Sequence, residues 1–271
     1  MRCAVLGDPI AHSLSPTLHR AGYAEVGLDW RYDAIRVTTE ELPAFVLDCG
    51  PEWRGLSLTM PHKRSALAFT HATVTDRARL AGGANTLVFT DDGLLADNTD
   101  LPGAVAAIRE RYDGPVTAGT VLGGGATAAS TGLALCELGA ATVRLLVRTP
   151  ARAEAAAHAV AQHPSRPQVE VLSLAEADVV GEVVVSTIPA EAQDAGVLAR
   201  CADVPVLFEV IYDPWPTPLA VSAGDRVLVG GLDLLVHQAA LQFELFTGVA
   251  APLDAMRAAG AEALARRGAA G

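Results

Sequence analysis

The run Val121-Leu122-Gly123-Gly124-Gly125-Ala126 limits the fold of this chain more than any other segment. An apolar stretch ends abruptly in glycines, and helix-forming residues follow at once. That order builds a strand, a tight turn and a helix. Glycine permits backbone angles and close approaches that a side chain forbids. The N–H groups at the start of the helix collect partial positive charge, so such a turn can cradle a phosphate. The pattern reads G-x-G-A-x-A, a variant of G-x-G-x-x-G; a plain tight turn is the other reading.

The rest of the chain alternates strand-like and helix-like segments, which predicts an α/β fold built on parallel sheet. Strands are expected at 3–6, 30–37 and 56–58, with helices at 16–26, 40–47 and from about Lys63. Segments 85–89 and 94–96 flank Asp91-Asp92-Gly93, a hairpin signal. A helix over 102–111 ends in Tyr112-Asp113-Gly114-Pro115, a turn cluster suited to a domain boundary. A second series follows: strands at 120–122, 143–147, 183–186 and 206–210, and helices at 126–138, 232–247 and 253–267. Alanine-rich 151–161 carries helix propensity.

With 271 residues, 51% of them hydrophobic, the chain can bury one large core or two ordinary ones. Its net charge of -11 repels nucleic-acid backbones and anionic lipid. The four cysteines, Cys3, Cys49, Cys136 and Cys201, are too widely spaced for a disulfide framework or zinc site and fit a reduced cytoplasm. No signal-peptide core or membrane-length apolar run is present. The seven histidines show no metal-ligand pairing.

Three polar segments stand at strand ends: His12-Ser13-Leu14-Ser15-Pro16, Leu58-Thr59-Met60-Pro61-His62-Lys63 and Asp97-Asn98-Thr99-Asp100. Hydroxyls, a lysine and an aspartate beside a nucleotide loop suggest hydride transfer to or from a polyhydroxylated acid. The strand after the glycine loop ends at Val147 and leads to Arg148-Thr149, with Arg152 a turn further on. An acid there would hold a ribose 2′-hydroxyl; a guanidinium instead suits a 2′-phosphate and points to NADP, unless these arginines are only solvated surface charge. Ser13 and Ser15, on alternate positions of an extended segment, can grip one carboxylate; otherwise Ser15 is a helix N-cap ahead of Pro16.

Taken together the motifs resemble the shikimate dehydrogenase family. The chain carries Gly7-Asp8-Pro9-Ile10-Ala11-His12-Ser13-Leu14-Ser15-Pro16 for G-x-P-I-x-H-S-x-S-P, and Ser57-Leu58-Thr59-Met60-Pro61-His62-Lys63 for N-V-T-x-P-x-K. Gly83-Ala84-Asn85-Thr86, Asn98-Thr99-Asp100 and 231–239, Gly-Leu-Asp-Leu-Leu-Val-His-Gln-Ala, follow in family order. Departures are Ser57 for Asn, Gly124 and Ala126 within the glycine loop, and Val147 for the Asn before Arg-Thr.

The resemblance implies two α/β domains with a cleft between: a substrate-binding catalytic domain over 1–101 plus 238–271, and a Rossmann-like NADP-binding domain over 102–237. It implies NADPH-dependent, reversible reduction of 3-dehydroshikimate to shikimate in aromatic amino acid biosynthesis. Quinate or aminoshikimate as substrate, and a catalytically silent NADPH-binding regulator, are the competing readings. Lys63 and Asp100 are the implied catalytic pair. Lys63 exchanges a proton with the carbonyl oxygen, and Asp100 holds the lysine and a substrate hydroxyl in register. Burial favours a neutral lysine and Asp100 a charged one, so the two effects oppose. The alternative for Lys63 is a surface lysine early in a helix. Ser13, Ser15, Thr59, Asn85, Asp100, Tyr212 and Gln238 are the implied substrate contacts; for Gln238 and Tyr212 the alternatives are a half-buried glutamine and an amphipathic tyrosine at a strand end. Gly123, Gly124, Gly125, Ala126, Thr127, Arg148, Thr149, Arg152, Thr187, Val210 and Gly231 are the implied cofactor contacts. The expected partner is the small-molecule substrate, with no nucleic acid or membrane, in the cytoplasm. A homodimer is left open.

Overall fold

A computed structural model describes residues 1–69 and 71–270. Chain contacts divide it into two compact units: unit 1 holds 1–79, 83–99 and 235–271, and unit 2 holds 80–82 and 100–234. The turn cluster at Tyr112–Pro115 lies inside unit 2, so the chain leaves unit 1 a helix earlier than the turn residues suggest.

The first unit carries one six-stranded mixed sheet. Its strands are β1 (Arg2–Gly7), β2 (Arg31–Arg36), β3 (Trp53–Leu58), β4 (Ala72–Val74), β5 (Thr86–Thr90) and β6 (Gly93–Asp97), in the order β2-β1-β3-β5-β6-β4. β1 lies parallel to both neighbours, whereas β5 runs antiparallel to β3 and β6. The β5–β6 hairpin closes through Asp91-Asp92, and Gly93 takes φ 118°, a backbone angle that glycine adopts at little cost. Helices α1 (Ser15–Glu25), α2 (Leu42–Leu47) and α3 (Asp76–Ala81) follow β1, β2 and β4. From Ala4 to Leu58 and Ala96, a single apolar cluster fills this sheet's core.

In unit 2 come α4 (Asp100–Arg111), β7 (Ala118–Leu122), α5 (Ala126–Glu137), β8 (Thr142–Val147), α6 (Glu154–Ala161), β9 (Gln168–Ser173), β10 (Val183–Ser186), α7 (Ala195–Arg200), β11 (Val206–Glu209), α8 (Pro218–Val221) and β12 (Val227–Val229). All six strands are parallel, in the order β12-β11-β10-β7-β8-β9. Renumbered within the unit this is 6-5-4-1-2-3, the doubly wound dinucleotide-binding order. The order in which successive strands are added reverses between β7 and β10, and ligands bind beyond the carboxyl ends of strands at such a point. Both faces of the sheet are covered, which is why β10 can read Val-Val-Val-Ser with no polar alternation. α5 is buried at every position from Ala128 to Cys136 and packs closely because its residues are small; a Cβ on Gly132 would lie 2.7 Å from Val160.

The last helices are α9 (Gly231–Thr247) and α10 (Leu253–Ala270), and α10 packs on α1 within unit 1. Two expectations need correction. No α-helix starts near Lys63: residues 61–64 turn and a four-residue 3-10 segment, Ser65–Ala68, follows, because the stretch has no sustained 3.6-residue apolar period. The alanine-rich 151–161 stretch is likewise split, with 3-10 geometry over Pro150–Ala153 before α6. Among the described residues no helix is long and apolar enough to cross a membrane, and the four cysteines are unpaired.

Candidate active site

β1 delivers the chain to Ser13 and Ser15. Leu14 is helical (φ -89°, ψ -6°), so the two serines are not related by strand alternation. Nor is Ser15 the N-cap: Leu14 caps α1, Ser15 is its first residue, and no side chain closes the cap. The Ser13 hydroxyl instead accepts the Ser15 N–H at 3.3 Å, a local turn that orders both serines. The buried Ser15 hydroxyl reaches that of Tyr32.

β3 ends at Leu58 and the next residues fold back over β1. The Thr59 N–H bonds to Leu6 O at 3.0 Å, and the bare Cα of Gly7 leaves room for Thr59 and Met60 above it. Lys63 is half-buried, and its carbonyl accepts Ala84 N–H at 2.8 Å. A Cβ on Gly83 would stand 3.2 Å from that carbonyl, so the glycine lets the two segments meet. His62 is fully buried and bound through Nε2 to Val37 O at 2.8 Å.

Asn85 is the centre of unit 1's polar core. Its Oδ1 accepts Thr99 N–H and the Thr86 hydroxyl, both at 2.8 Å. Its Nδ2 donates to Thr99 Oγ1 at 2.9 Å and to Gln238 Oε1 at 3.2 Å. Beneath it, Gln242 donates to Asn85 O and Thr86 Oγ1, both at 3.0 Å, and accepts from Ser57 at 2.7 Å; Ser57 accepts from Tyr32 at 2.6 Å. His19, fully buried, stacks on Tyr32 at 4.1 Å, and burial pushes it down to about 3. Beside Asn85, buried Asp97 binds Arg77 through both oxygens and takes the Thr75 hydroxyl at 2.6 Å. Burial pushes the Asp97 carboxyl up, but the Arg77, Thr75 and Asn98 bonds outweigh it and hold it below the usual carboxylate range. Asp100 follows one residue after Thr99, buried, as the first residue of α4.

In unit 2, Gly123 takes φ 122°, and a Cβ there would strike the Thr187 hydroxyl, which itself donates to Leu122 O at 2.9 Å. A Cβ on Gly124 would lie 2.8 Å from Ala153 Cα, so this glycine allows the segment bearing Arg152 to press against the loop. Gly125 caps α5; no side chain closes the cap, no acid occupies the first turn, and a Cβ on Gly125 would meet open space. Ala126 and half-buried Thr127 form that first turn. A cavity of about 390 Å³ opens here, lined by Gly123, Gly124, Arg148, Thr149, Arg152 and Thr187, with Val147 giving it an apolar wall. Arg148 and Arg152 are exposed, and among the described residues neither makes an ion pair.

Val210 and Gly231 meet elsewhere in unit 2: a Cβ on Gly231 would stand 2.5 Å from Val210 O. Half-buried Tyr212 lies two residues beyond Val210. Among the described residues no group of three His, Cys, Asp or Glu side chains is arranged to hold a metal ion.

Sequence reasoning missed Thr99, Tyr32, Gln242 and Glu209 as site-supporting residues. Thr99 sits inside a motif already singled out. Gln242 stands one helical turn after Gln238, and Glu209 is the sole acid in an apolar strand. Tyr32 carries no such signal.

A doubly wound nucleotide-type unit joined to a mixed-sheet unit with a hydrogen-bonded polar core defines a two-unit α/β oxidoreductase class. The shikimate dehydrogenase substrate binding domain family matches residues 5–87, and the shikimate 5'-dehydrogenase C-terminal domain family matches 231–259. A shikimate dehydrogenase (NADP(+)) of Synechococcus sp. is 32% identical over 97% of this chain and 94% of its own length. The crystal structure of Mycobacterium tuberculosis shikimate dehydrogenase superposes with TM-score 0.87 at 42% identity, over 96% of this chain and 99% of that one. A Thermus thermophilus shikimate 5-dehydrogenase, solved in complex with NADP(H) and shikimate, superposes with TM-score 0.83 at 29% identity, over 97% and 99%. This chain belongs to the shikimate dehydrogenase family.

Proposed function

We propose that this chain is an NADP-dependent oxidoreductase that reversibly reduces 3-dehydroshikimate to shikimate. The observation that carries the reading is the cluster of Asn85, Thr99 and Gln238. These residues come from distant parts of the chain, are joined by hydrogen bonds, and bring together amide and hydroxyl groups that suit a ligand rich in hydroxyls. Ser13 and Ser15 take the carboxylate. Thr59, Asn85, Gln238 and Tyr212 bind ring hydroxyls, and Asp100 accepts a hydrogen bond from one of them. Lys63 gives the proton to the carbonyl oxygen as it becomes an alkoxide. NADPH, when bound, supplies the hydride.

The residues fit that cofactor. The uncapped N-terminus of α5 presents backbone donors to a pyrophosphate. Arg148, Thr149 and Arg152 line the cavity beside it with no acid among them, which suits a 2′-phosphate. Thr187, Val210 and Gly231 shape the nicotinamide end. The substrate-binding domain is unit 1 and the nucleotide domain unit 2. The net charge of -11 supports neither nucleic acid nor anionic membrane as a partner, and unpaired cysteines suit the cytoplasm. Sedimentation decides between monomer and homodimer.

Absorbance at the NADPH band, followed with shikimate and quinate and with both NADP and NAD, is the test. Shikimate with NADP should be the best pair. Quinate carries an added hydroxyl beside its carboxylate, and His62, which could receive it, is fully buried with Nε2 held by Val37 O. Leaving that hydroxyl unpaired costs about 1–3 kcal/mol, roughly ten- to a hundredfold in kcat/KM. Equal or better turnover of quinate would move the chain to a quinate-using role. No oxidation of either acid would leave a silent NADPH-binding protein.

A further inference from the structure

Glu209 ends β11 with its side chain wholly buried. Its Oε1 accepts Ile211 N–H at 2.9 Å. Its Oε2 accepts Gln193 Nε2 at 2.6 Å and the Thr217 hydroxyl at 2.9 Å, and the Ser186 hydroxyl also reaches the carboxylate. The direction of two of these bonds is forced. Gln193 spends its carbonyl on Leu219 N–H at 2.9 Å, so its amide NH₂ must face Glu209. Thr217 accepts Ala220 N–H at 3.2 Å and still has its own proton to give the carboxylate. A backbone N–H can only donate. Ile211 and Gln193 are therefore committed as donors, one to each carboxylate oxygen.

Two fixed donors favour the carboxylate anion, and among the described residues no lysine, arginine or histidine pairs with it. Burial pushes Glu209 up from the ordinary glutamate range, and the bonds from Ile211, Gln193, Thr217 and Ser186 oppose it. Other buried acids are treated differently: Asp97 has Arg77, and Asp233 has Arg111 at 2.8 Å. An uncompensated buried charge is costly and needs a reason.

Its place supplies one. Ser186 and Glu209 are register partners at the carboxyl ends of β10 and β11. Thr187 and Val210, the next residues on each strand, belong to the proposed nicotinamide end. We propose that Glu209 is an electrostatic positioning residue: its unpaired negative charge favours the cationic, oxidised nicotinamide over the neutral, reduced one, while its bond to Ile211 holds the turn that follows Val210. The inference rests on the NADP reading above.

The test is binding, measured apart from turnover. NADPH is titrated by its fluorescence and NADP by calorimetry, on wild type and on Glu209→Gln, which removes the charge and keeps the shape. The ratio Kd(NADP)/Kd(NADPH) should rise roughly tenfold, carried by weaker NADP binding. Equal weakening of both forms, or no change in the ratio, overturns the inference, because a purely structural role affects both forms alike. Should Glu209→Gln not fold, Glu209→Asp keeps the charge, and its ratio should stay within about twofold of wild type; a shift as large as tenfold overturns the inference. A wild-type chain that binds neither form would sink the cofactor reading itself, and this inference with it.

Discussion

Unit 1 and unit 2 build their sites from different parts of the polypeptide. In unit 1 the site is made of side chains that satisfy one another, from Tyr32 through Ser57 and Gln242 to Asn85, Thr99 and Gln238. In unit 2 it is made mostly of backbone, a glycine at φ 122° and an uncapped helix start, beside two arginines that make no ion pair among the described residues. A saturated network fixes a shape before a ligand arrives. Open backbone donors wait for an anion. Side-chain deletions should therefore tell in unit 1, and backbone changes in unit 2.

The sharpest break of that contrast is Lys63→Ala. It should lower kcat by ~10²–10⁴-fold with little change in KM for either ligand. Near-normal turnover in steady-state assays would remove Lys63 from the chemistry. Next comes Gly123→Ala, which forces an L-residue into a left-handed angle against Thr187 and costs about 1–3 kcal/mol of local strain. Affinity for NADP should drop about ten- to a hundredfold by the same strain, and calorimetry reads it. Unaltered binding would mean that the loop is a mere turn. Gln242→Leu strips partners from Ser57, Thr86 and Asn85 O together. Denaturant unfolding should register a loss of about 1–3 kcal/mol, with KM rising for shikimate and not for NADP. A loss shared equally by both KM values would erase the contrast between units. Arg148→Ala should have the smallest effect, raising KM for NADP by up to about tenfold and leaving NAD use nearly unaffected. If wild type uses both cofactors equally well, these arginines are only surface charge.

Much of this was legible beforehand, and the misses have physical causes. The glycine turn was readable because few backbones tolerate three glycines between an apolar run and a helix, and the β5–β6 hairpin because Asp-Gly needs a turn. The edge strands β4 and β9, the three-residue β12, and the short helices α3, α7 and α8 were not, since so few half-exposed residues carry little period. Ser15 reads as an N-cap because Pro16 follows it, yet the helix begins one residue earlier. The Asn85 cluster was recognised through motifs. Its supporting layer was not, because Tyr32, Ser57 and Gln242 lie far apart in sequence and only packing joins them.

The order in which the chain passes between the units has a consequence for synthesis. Unit 2 lies almost wholly within one continuous stretch, 100–234, and its contacts can close as it emerges. Unit 1 begins first and finishes last. The bond from Ser57 to Gln242 spans 185 residues, and α1 gains its partner α10 only from the final segment. Until residues 235–271 leave the ribosome, Asn85 lacks both glutamines and Tyr23 lacks Phe243. The amino-terminal sheet thus goes without these partners while residues 100–234 are synthesised, the condition in which unfinished apolar surface is prone to misassembly.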